Sequence, residues 1–434
     1  MKRKGKILAL GLAAILAVSG LGAAGGEVMA AETPTVAQNT EKTASQAYVE
    51  NMGSGWNLGN SFDGFEADLD KEDPGETAWG NPTVTQDLLT SVKEKGYTSI
   101  RIPFTVYRRY TVNENAGDGE YKYVINEEWL KRYKEVVDWA VDDGFTVMIN
   151  IHHDSWIWLK NWNGDKTSEE YRMYSDFWKQ MAEYFKDEPE QVCFETINEP
   201  QFTDDGIGTA QDKLDIINQT AYDIIRGVEE NKERMIVMPS MYTKIDEAET
   251  DALYTMIKGL NDPNVIATVH YYCEWVYSAN LGKTGFDEAL WDDYSPRKAV
   301  ETMMSRLKTT FIDNGIGVIV GEYGLLGYDT SEGCLQEGEE MKYYEDMNYL
   351  AGENGVCLMF WDNGSGIDRN PAGHPWKKQV VGKLLEASMK GRSSYATDLD
   401  TIYFTKEVTE NVEIPLTLNG NTFTGIEGLT QDQD

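Results

Sequence analysis

Residues 192–200, VCFETINEP, and their counterpart 316–324, IGVIVGEYG, decide how this chain is read. Both are short apolar runs, the pattern of a strand buried on its two faces, and both end in a turn signal, Pro200 in one and Gly324 in the other. Each also ends on a glutamate, Glu199 and Glu322. A parallel barrel collects its chemistry at that end of its strands. Two carboxyls presented to one cleft fit the hydrolysis of a glycosidic bond, which needs one kept protonated to donate to the leaving oxygen and one ionised.

Outward from these two, apolar runs recur at 55–58, 99–102, 146–151, 192–197, 235–238, 265–270, 318–322 and 356–361. Helical patterns separate most of them. Between the second and third, Trp129, Tyr133, Val136, Val137, Ala140 and Val141 repeat at helical spacing, with Asn126 as N-cap and Gly144 as terminator. Ser295-Pro296 opens another helix, with Pro at its first position, and Asn314-Gly315 closes it. Such alternation predicts an α/β fold, a (β/α)8 TIM barrel, rather than an open doubly wound sheet, and no phosphate-cradling glycine fingerprint argues otherwise.

The ends read differently. Lys2, Arg3, Lys4 and Lys6 precede an apolar stretch at 7–24 and the small-residue site Val28-Met29-Ala30, so residues 1–30 read as a secretory signal peptide and the protein as extracellular. No other apolar run is long enough to span a membrane, so no membrane partner is expected after cleavage. Residues 31–46 read as a polar leader, 47–390 as the barrel, and 391–434 as a linker and the start of an incomplete β-rich module with a turn at Asn419-Gly420.

The formal net charge is −34, from 73 acidic and 39 basic residues. That field repels nucleic acid, anionic membranes and polyanionic glycans, and it leaves neutral extracellular substrates open. Four cysteines allow three full pairings; Cys193 and Cys357 lie inside predicted strands, and all four read as free thiols.

The strand-end positions are Asn57, Asn60, Arg101, His152, His153, Asn198, Glu199, His270, Tyr272, Glu322 and Trp361. All are polar or aromatic, and three of the chain's four histidines are among them. Core packing does not account for such a set. Adjacent residues on a strand point to opposite faces, so His152 and His153 are expected to diverge, and no third ligand stands at helical spacing. No metal site is predicted.

Several segments resemble glycoside hydrolase family 5, the cellulase-A type, and most of all its subfamily 4 endoglucanases and xyloglucanases. They are GWNLGN at 55–60, ETAWGNP at 76–82, RIP at 101–103, NIHHD at 150–154, NEP at 198–200, HYY at 270–272, GEYG at 321–324 and FWDNG at 360–364. Tyr323 stands where Phe is more usual. The resemblance implies a retaining hydrolase without a cofactor, acting on a β-glucan polysaccharide such as cellulose, xyloglucan or lichenan, with a monomeric catalytic domain. It implies Glu322 as nucleophile, held ionised by Arg101 and Tyr272, and Glu199 as acid/base, oriented by His270. Asn198 would bind the sugar 2-hydroxyl, and His152 and Trp361 would line the −1 position, with His153, Asn60 and Trp79 also on the substrate side. Residues 414–426 (IPLTLNGNTFTGI) resemble the opening strands of immunoglobulin-like X2 modules.

Loop tryptophans Trp79, Trp156, Trp158, Trp162, Trp275 and Trp291 suit a long glucan, since aromatic faces bind pyranose faces; Trp79 and about half of the others are expected in the cleft, the rest as loop anchors. The leading expectation is a secreted endo-β-1,4-glucanase. Its rivals are a xyloglucanase or mixed-linkage glucanase, a catalytically silent glycan-binding protein, which the intact Glu199 and Glu322 argue against, and an adhesin-like surface protein.

Overall fold

The structure, a computed structural model, describes residues 42–391 apart from 118, 280–283, 328–336 and 371. The expected signal peptide, most of the leader, Cys334 and the β-rich module from 392 onward lie outside the described residues.

Eight strands close into one barrel: β1 (Ser54–Leu58), β2 (Ser99–Ile102), β3 (Thr146–Asn150), β4 (Val192–Glu195), β5 (Ile236–Pro239), β6 (Val265–Tyr271), β7 (Val318–Tyr323) and β8 (Cys357–Asp362). Each pairs in parallel with its sequence neighbours, and β8 returns to β1. The predicted strand runs match these within about two residues at each end. The helix before β3 spans Glu127–Asp142, with the Asn126 side chain accepting from the Trp129 N–H, and Gly144 follows at φ 78°. The helix opened by Ser295 and Pro296 ends earlier than predicted, at Thr310. A short 3-10 turn, Ile312–Asn314, carries the chain on to Gly315, which caps it in the left-handed region. A small antiparallel hairpin, Tyr110–Val112 with Tyr123–Ile125, is added between β2 and β3.

Alternation along the strands sorts side chains between two cores. On β4, Val192 and Phe194 face the outer helices, whereas Cys193 faces the barrel interior. The interior is layered. Its lower layer is apolar, built from Met148, Cys193, Val237, Ile266, Ile319, Cys357 and Met359. Above it lies a polar layer of fully buried side chains: Asn57, Arg101, Asn150, Glu195 and Thr268.

A helix α1 (Ala44–Met52) seals the lower layer with Val49 and Met52. Thr43 caps it in a capping box, donates to the Gly315 carbonyl at 2.8 Å, and Gln46 donates to the Ile312 carbonyl at 2.8 Å. Gly317 lies so close that a Cβ there would meet the Ser45 carbonyl oxygen at 2.4 Å. The leader drawn to residue 46 therefore ends too late: its polar residues from Thr43 onward are helix cap and first turn, which composition alone reads as loop. Among the described cysteines, Cys193, Cys273 and Cys357 are free thiols, as expected.

Met52 is fully buried in this plug. Met52→Ala should lower unfolding stability by about 2–5 kcal/mol, the cost of a core methionine truncation, as measured by urea denaturation. A loss below about 0.5 kcal/mol, the range of a neutral surface change, would mean that α1 does not seal the barrel.

Candidate active site

Strand alternation alone would turn Glu322 outward. On β7, Val318 and Val320 face the helices and Ile319 faces inward, so Glu322 should follow Val320. It does not, because β7 carries one extra residue. Val269 pairs with Val320, yet the next pair is His270 with Glu322, and on the other side Leu358 and Phe360 pair with Val320 and Tyr323. This bulge resets the alternation, points Glu322 into the barrel and returns Tyr323 to the outer core. Gly321 is the residue that allows it: a Cβ there would meet Thr268 Oγ1 at 2.8 Å and His270 Nε2 at 3.2 Å.

Arg101 comes up from β2, fully buried, and engages all three of its nitrogens. Nη1 donates to Glu322 Oε1 at 2.7 Å and to Asn57 Oδ1 at 3.1 Å; Nη2 donates to Asn198 Oδ1 at 2.7 Å; Nε donates to Glu195 Oε2 at 2.8 Å. Tyr272 Oη donates to the other Glu322 oxygen at 2.7 Å. Burial, with Glu322 beside it, pushes the Tyr272 pKa well up, so the phenol remains a donor.

Glu199 sits past the end of β4 with φ 35°, a left-handed conformation that costs a non-glycine residue about 1–3 kcal/mol and clusters at functional sites. The following turn is tied down by the Tyr242 N–H, which donates to the Pro200 carbonyl at 2.9 Å. His270 Nδ1 lies 2.9 Å from Glu199 Oε1 and 3.5 Å from Glu322 Oε2, so one imidazole touches both carboxyls. Burial lowers the His270 pKa to about 4, against a smaller opposing pull from Glu322. The Glu199 side chain keeps 35 % exposure at the groove mouth. Desolvation still outweighs the attraction of Arg101 and His153, and its pKa is raised.

His152 is fixed by a different partner. Asn150 Oδ1 accepts from the Phe104 N–H, which orients the amide so that Nδ2 donates to His152 Nδ1 at 3.1 Å. Burial, the largest cause, with His153 and Arg101 beside it, drives the His152 pKa well down, so the ring is neutral and carries its proton on Nε2, 4.0 Å from Glu322 Oε1. Trp361 lies parallel to it, 5.9 Å between ring centres.

His153 corrects an expectation. Strand pairing stops at Asn150 and the chain bends into the short helix Asp154–Ile157, so both histidines line the same groove instead of opposite faces. His153 Nδ1 accepts from Trp156 Nε1 at 2.8 Å, and its Nε2 lies 3.4 Å from Asp63 Oδ2. Trp79, 37 % exposed, packs over this imidazole at 5.1 Å and donates to the Phe65 carbonyl. Asn60 is at the rim in the left-handed region, its N–H on Asp63 and its carbonyl on Asn81.

The groove encloses about 750 Å³ and is lined by His152, His153, Asn198, Glu199, Tyr272, Glu322 and Trp361, running on past Trp275 and Leu325 to Trp376. Of the loop tryptophans, Trp275 lines it, Trp162 is a fully buried anchor, and Trp158 is tied to Asp154 and packed on Phe177. Trp291 stacks on Tyr294. Two donor sets come within 4.8 Å, Asp63 with His152 and His153, and Glu199 with His270 and Glu322. In the first, Asp63 accepts from the Asn60 and Ser61 N–H groups and His153 Nδ1 from Trp156; in the second, His270 Nδ1 is bonded to Glu199; the Nε2 atoms of His153 and His270 have no hydrogen-bond partner among the described residues.

Sequence reasoning missed Glu195 and Asn150. Glu195 shares the inward face of β4 with Cys193, a parity that VCFETINEP displays, and a charged residue inside an apolar strand demands a partner.

Comparisons with known proteins bear on the fold and the family. A family model described as cellulase (glycosyl hydrolase family 5) matches residues 60–366. Endoglucanase B of Paenibacillus lautus is 37 % identical over 88 % of this chain and 65 % of its own length. Endoglucanase A of Ruminococcus albus is 31 % identical over 73 % of this chain and 83 % of its own. A solved trimodular subfamily 4 endoglucanase superposes with a TM-score of 0.72 at 38 % identity, over 82 % of this chain and 63 % of that one. The trimodular endo-β-1,4-glucanase B of Bacillus halodurans gives 0.72 at 34 %, over 89 % and 69 %. The chain thus spans somewhat under two thirds of the Paenibacillus relative and of the first of these structures. With the family model covering most of its length and a closed barrel carrying the paired carboxyls, the chain belongs to glycosyl hydrolase family 5.

Proposed function

We propose that this protein is a secreted endo-β-1,4-glucanase that cleaves internal bonds of β-glucan chains with retention of anomeric configuration. One observation carries the reading: oxygen atoms of Glu199 and Glu322 lie within 4.8 Å of each other and share one imidazole. Retaining glycosidases keep their two carboxyls about 5–5.5 Å apart, and inverting ones hold them roughly 6.5–9.5 Å apart to admit a water.

In the first step Glu322 attacks the anomeric carbon while Glu199 passes its proton to the leaving oxygen, forming the glycosyl–enzyme bond and breaking the glycosidic one. In the second, Glu199 takes a proton from water as the water oxygen attacks the same carbon and frees Glu322. Arg101 and Tyr272 hold Glu322 as the acceptor of two donors, the ionised form. Asn198 gives its oxygen to Arg101, which leaves the amide nitrogen for the sugar 2-hydroxyl. The neutral His152 offers Nε2–H beside Glu322, and Trp361 offers a ring face to the −1 sugar.

A second reading, xyloglucan as the preferred substrate, draws on the groove's extension beyond Trp361 to Leu326 and Trp376, room in which a side-chain sugar could lie; a mixed-linkage glucan remains a further alternative. Initial rates on carboxymethylcellulose, xyloglucan, lichenan and mannan, measured side by side, test the assignment. Cleavage of the first three with little on mannan is expected; mannan as the best substrate would overturn it. Secretion rests on the cationic, apolar and small-residue succession of residues 1–30, and N-terminal sequencing of medium protein should begin at Ala31.

Glu322→Gln should abolish hydrolysis of every substrate while leaving the melting temperature within a few degrees. Glu199→Ala should lose activity on polysaccharide but retain much of it on an aryl cellobioside with a good leaving group, more so with azide present. Equal losses on both substrates would contradict the division of roles.

The pH profile separates the groups. Glu199 must be protonated, so activity falls as pH rises through its pKa, which burial places above the usual glutamate value of about 4.3. His270, lowered to about 4, is already neutral there. Glu199→Ala, assayed with the activated substrate and azide, should therefore lose the basic limb; its persistence would assign that limb to another group.

A further inference from the structure

We infer that Glu195 is a positioning residue whose negative charge, placed beneath Arg101, leaves the site with an excess anion facing the sugar and locks Arg101 and Asn150 in place. The inference rests on the reading of this site as a glycosidase.

Glu195 is fully buried on the inward face of β4. Its Oε2 accepts from Arg101 Nε and lies 2.8 Å from Arg101 Nη2, and it accepts from Asn150 Nδ2 at 2.7 Å. Through Arg101 it bears on Glu322, Asn57 and Asn198; through Asn150 it bears on His152, whose Nδ1 is the other acceptor of the same amide nitrogen. Glu322, Asn198 and His152, which line the groove from three different strand ends, are thus braced by a single carboxylate that does not line it.

The charge count gives the arrangement its purpose. Arg101 is the one guanidinium of the cluster and it faces two carboxylates, Glu195 and Glu322. His152 and His270 are both held neutral by burial. Were Glu195 uncharged, Arg101 and Glu322 would balance in the sum, and Arg101 would offset part of the field by which Glu322 answers the positive charge that builds on the ring as the glycosidic bond breaks. With Glu195 charged, one negative charge remains, fixed in place before the reaction begins. Electrostatic preorganisation of this kind works most strongly in a site shielded from water. Glu195 also offsets the pull of Arg101 on Glu322, so the attacking carboxylate is held without being quenched.

The test uses a feature of the carboxylate itself. Both hydrogen bonds and the Nη2 ion-pair contact converge on Oε2, and Oε1 has no hydrogen-bond partner among the described residues. In Glu195→Gln the amide oxygen can keep every accepted bond, so the substitution removes charge and little else. The full-length Glu195→Gln protein is compared with wild type for binding of a cationic piperidine analogue of cellobiose and of neutral cellobiose, by titration calorimetry. Affinity for the cation should fall by roughly 10- to 100-fold, the range in which groups behind a first shell of contacts act, and that for cellobiose should hold within about twofold. The kcat should fall in parallel with little change in KM.

Equal loss for both ligands, or loss for neither, would overturn the charge role. Glu195→Asp provides the control for folding and geometry: it retains the charge, so it should keep the preference for the cation even where kcat suffers from a displaced Arg101. A variant with the preference of Glu195→Gln would contradict the inference. If instead wild type itself showed no preference for the cationic ring, or Glu322→Gln remained active, the glycosidase reading would have failed rather than the role of Glu195.

Discussion

A guanidinium with no access to water governs the upper half of this barrel. Removing a charge from water is costly, and the cost is met only where every donor finds an acceptor in good geometry. Arg101 engages all three of its nitrogens with four side chains from three other strands and the segment beyond β4: Asn57, Glu195, Asn198 and Glu322. Each of those groups is in turn confined by Arg101. Breaking one contact leaves a buried charge short of a partner, so the set is held as a unit, and the rigidity that results is what a reaction with tight distance requirements calls for. Below it, an apolar layer closed by α1 keeps water from entering through the other end.

Two departures from regularity serve the same end. The bulge at Gly321 turns Glu322 into the barrel against the alternation of its strand, and the left-handed Glu199 brings the second carboxyl back over the groove. Both place strain or irregularity beside the chemistry, where surrounding contacts hold it. His270 then bridges the two carboxyls, and burial sets the two sides of the proposed reaction apart: Glu199 is pushed toward its protonated form, while Glu322 accepts from Arg101 and Tyr272.

Much of this was legible in the chain. Short apolar runs ending in Asn, His, Glu or Trp mark strand ends in a parallel barrel, because a doubly buried strand has no other place for a polar side chain. That logic located Arg101, His152, Asn198, Glu199, His270, Tyr272, Glu322 and Trp361. It did not locate Glu195 or Asn150, the last residues of β4 and β3, because the apolar runs were drawn past them to 197 and 151 and so enclosed both as interior positions. Nor did it show that Glu322 requires a bulge, since registry depends on both neighbouring strands. The rule of opposite faces failed for His152 and His153 because pairing ends before them. Composition likewise hid the first turn of α1 among polar residues, and half of the loop tryptophans could not be sorted from sequence because a tryptophan that anchors a loop and one that faces a groove have the same neighbours in the chain.

The central claim is that Glu322 forms a covalent bond to the sugar while Glu199 handles the proton. Incubation with a 2-deoxy-2-fluoro-β-cellobioside carrying a good leaving group, followed by proteolysis and mass spectrometry of the peptides, tests it most directly. The account predicts a single added fluorocellobiosyl group on the peptide that contains Glu322, with loss of activity in step with labelling. A label on the peptide that contains Glu199, or an unlabelled enzyme whose first product from a β-glucan is the α-anomer, would contradict it.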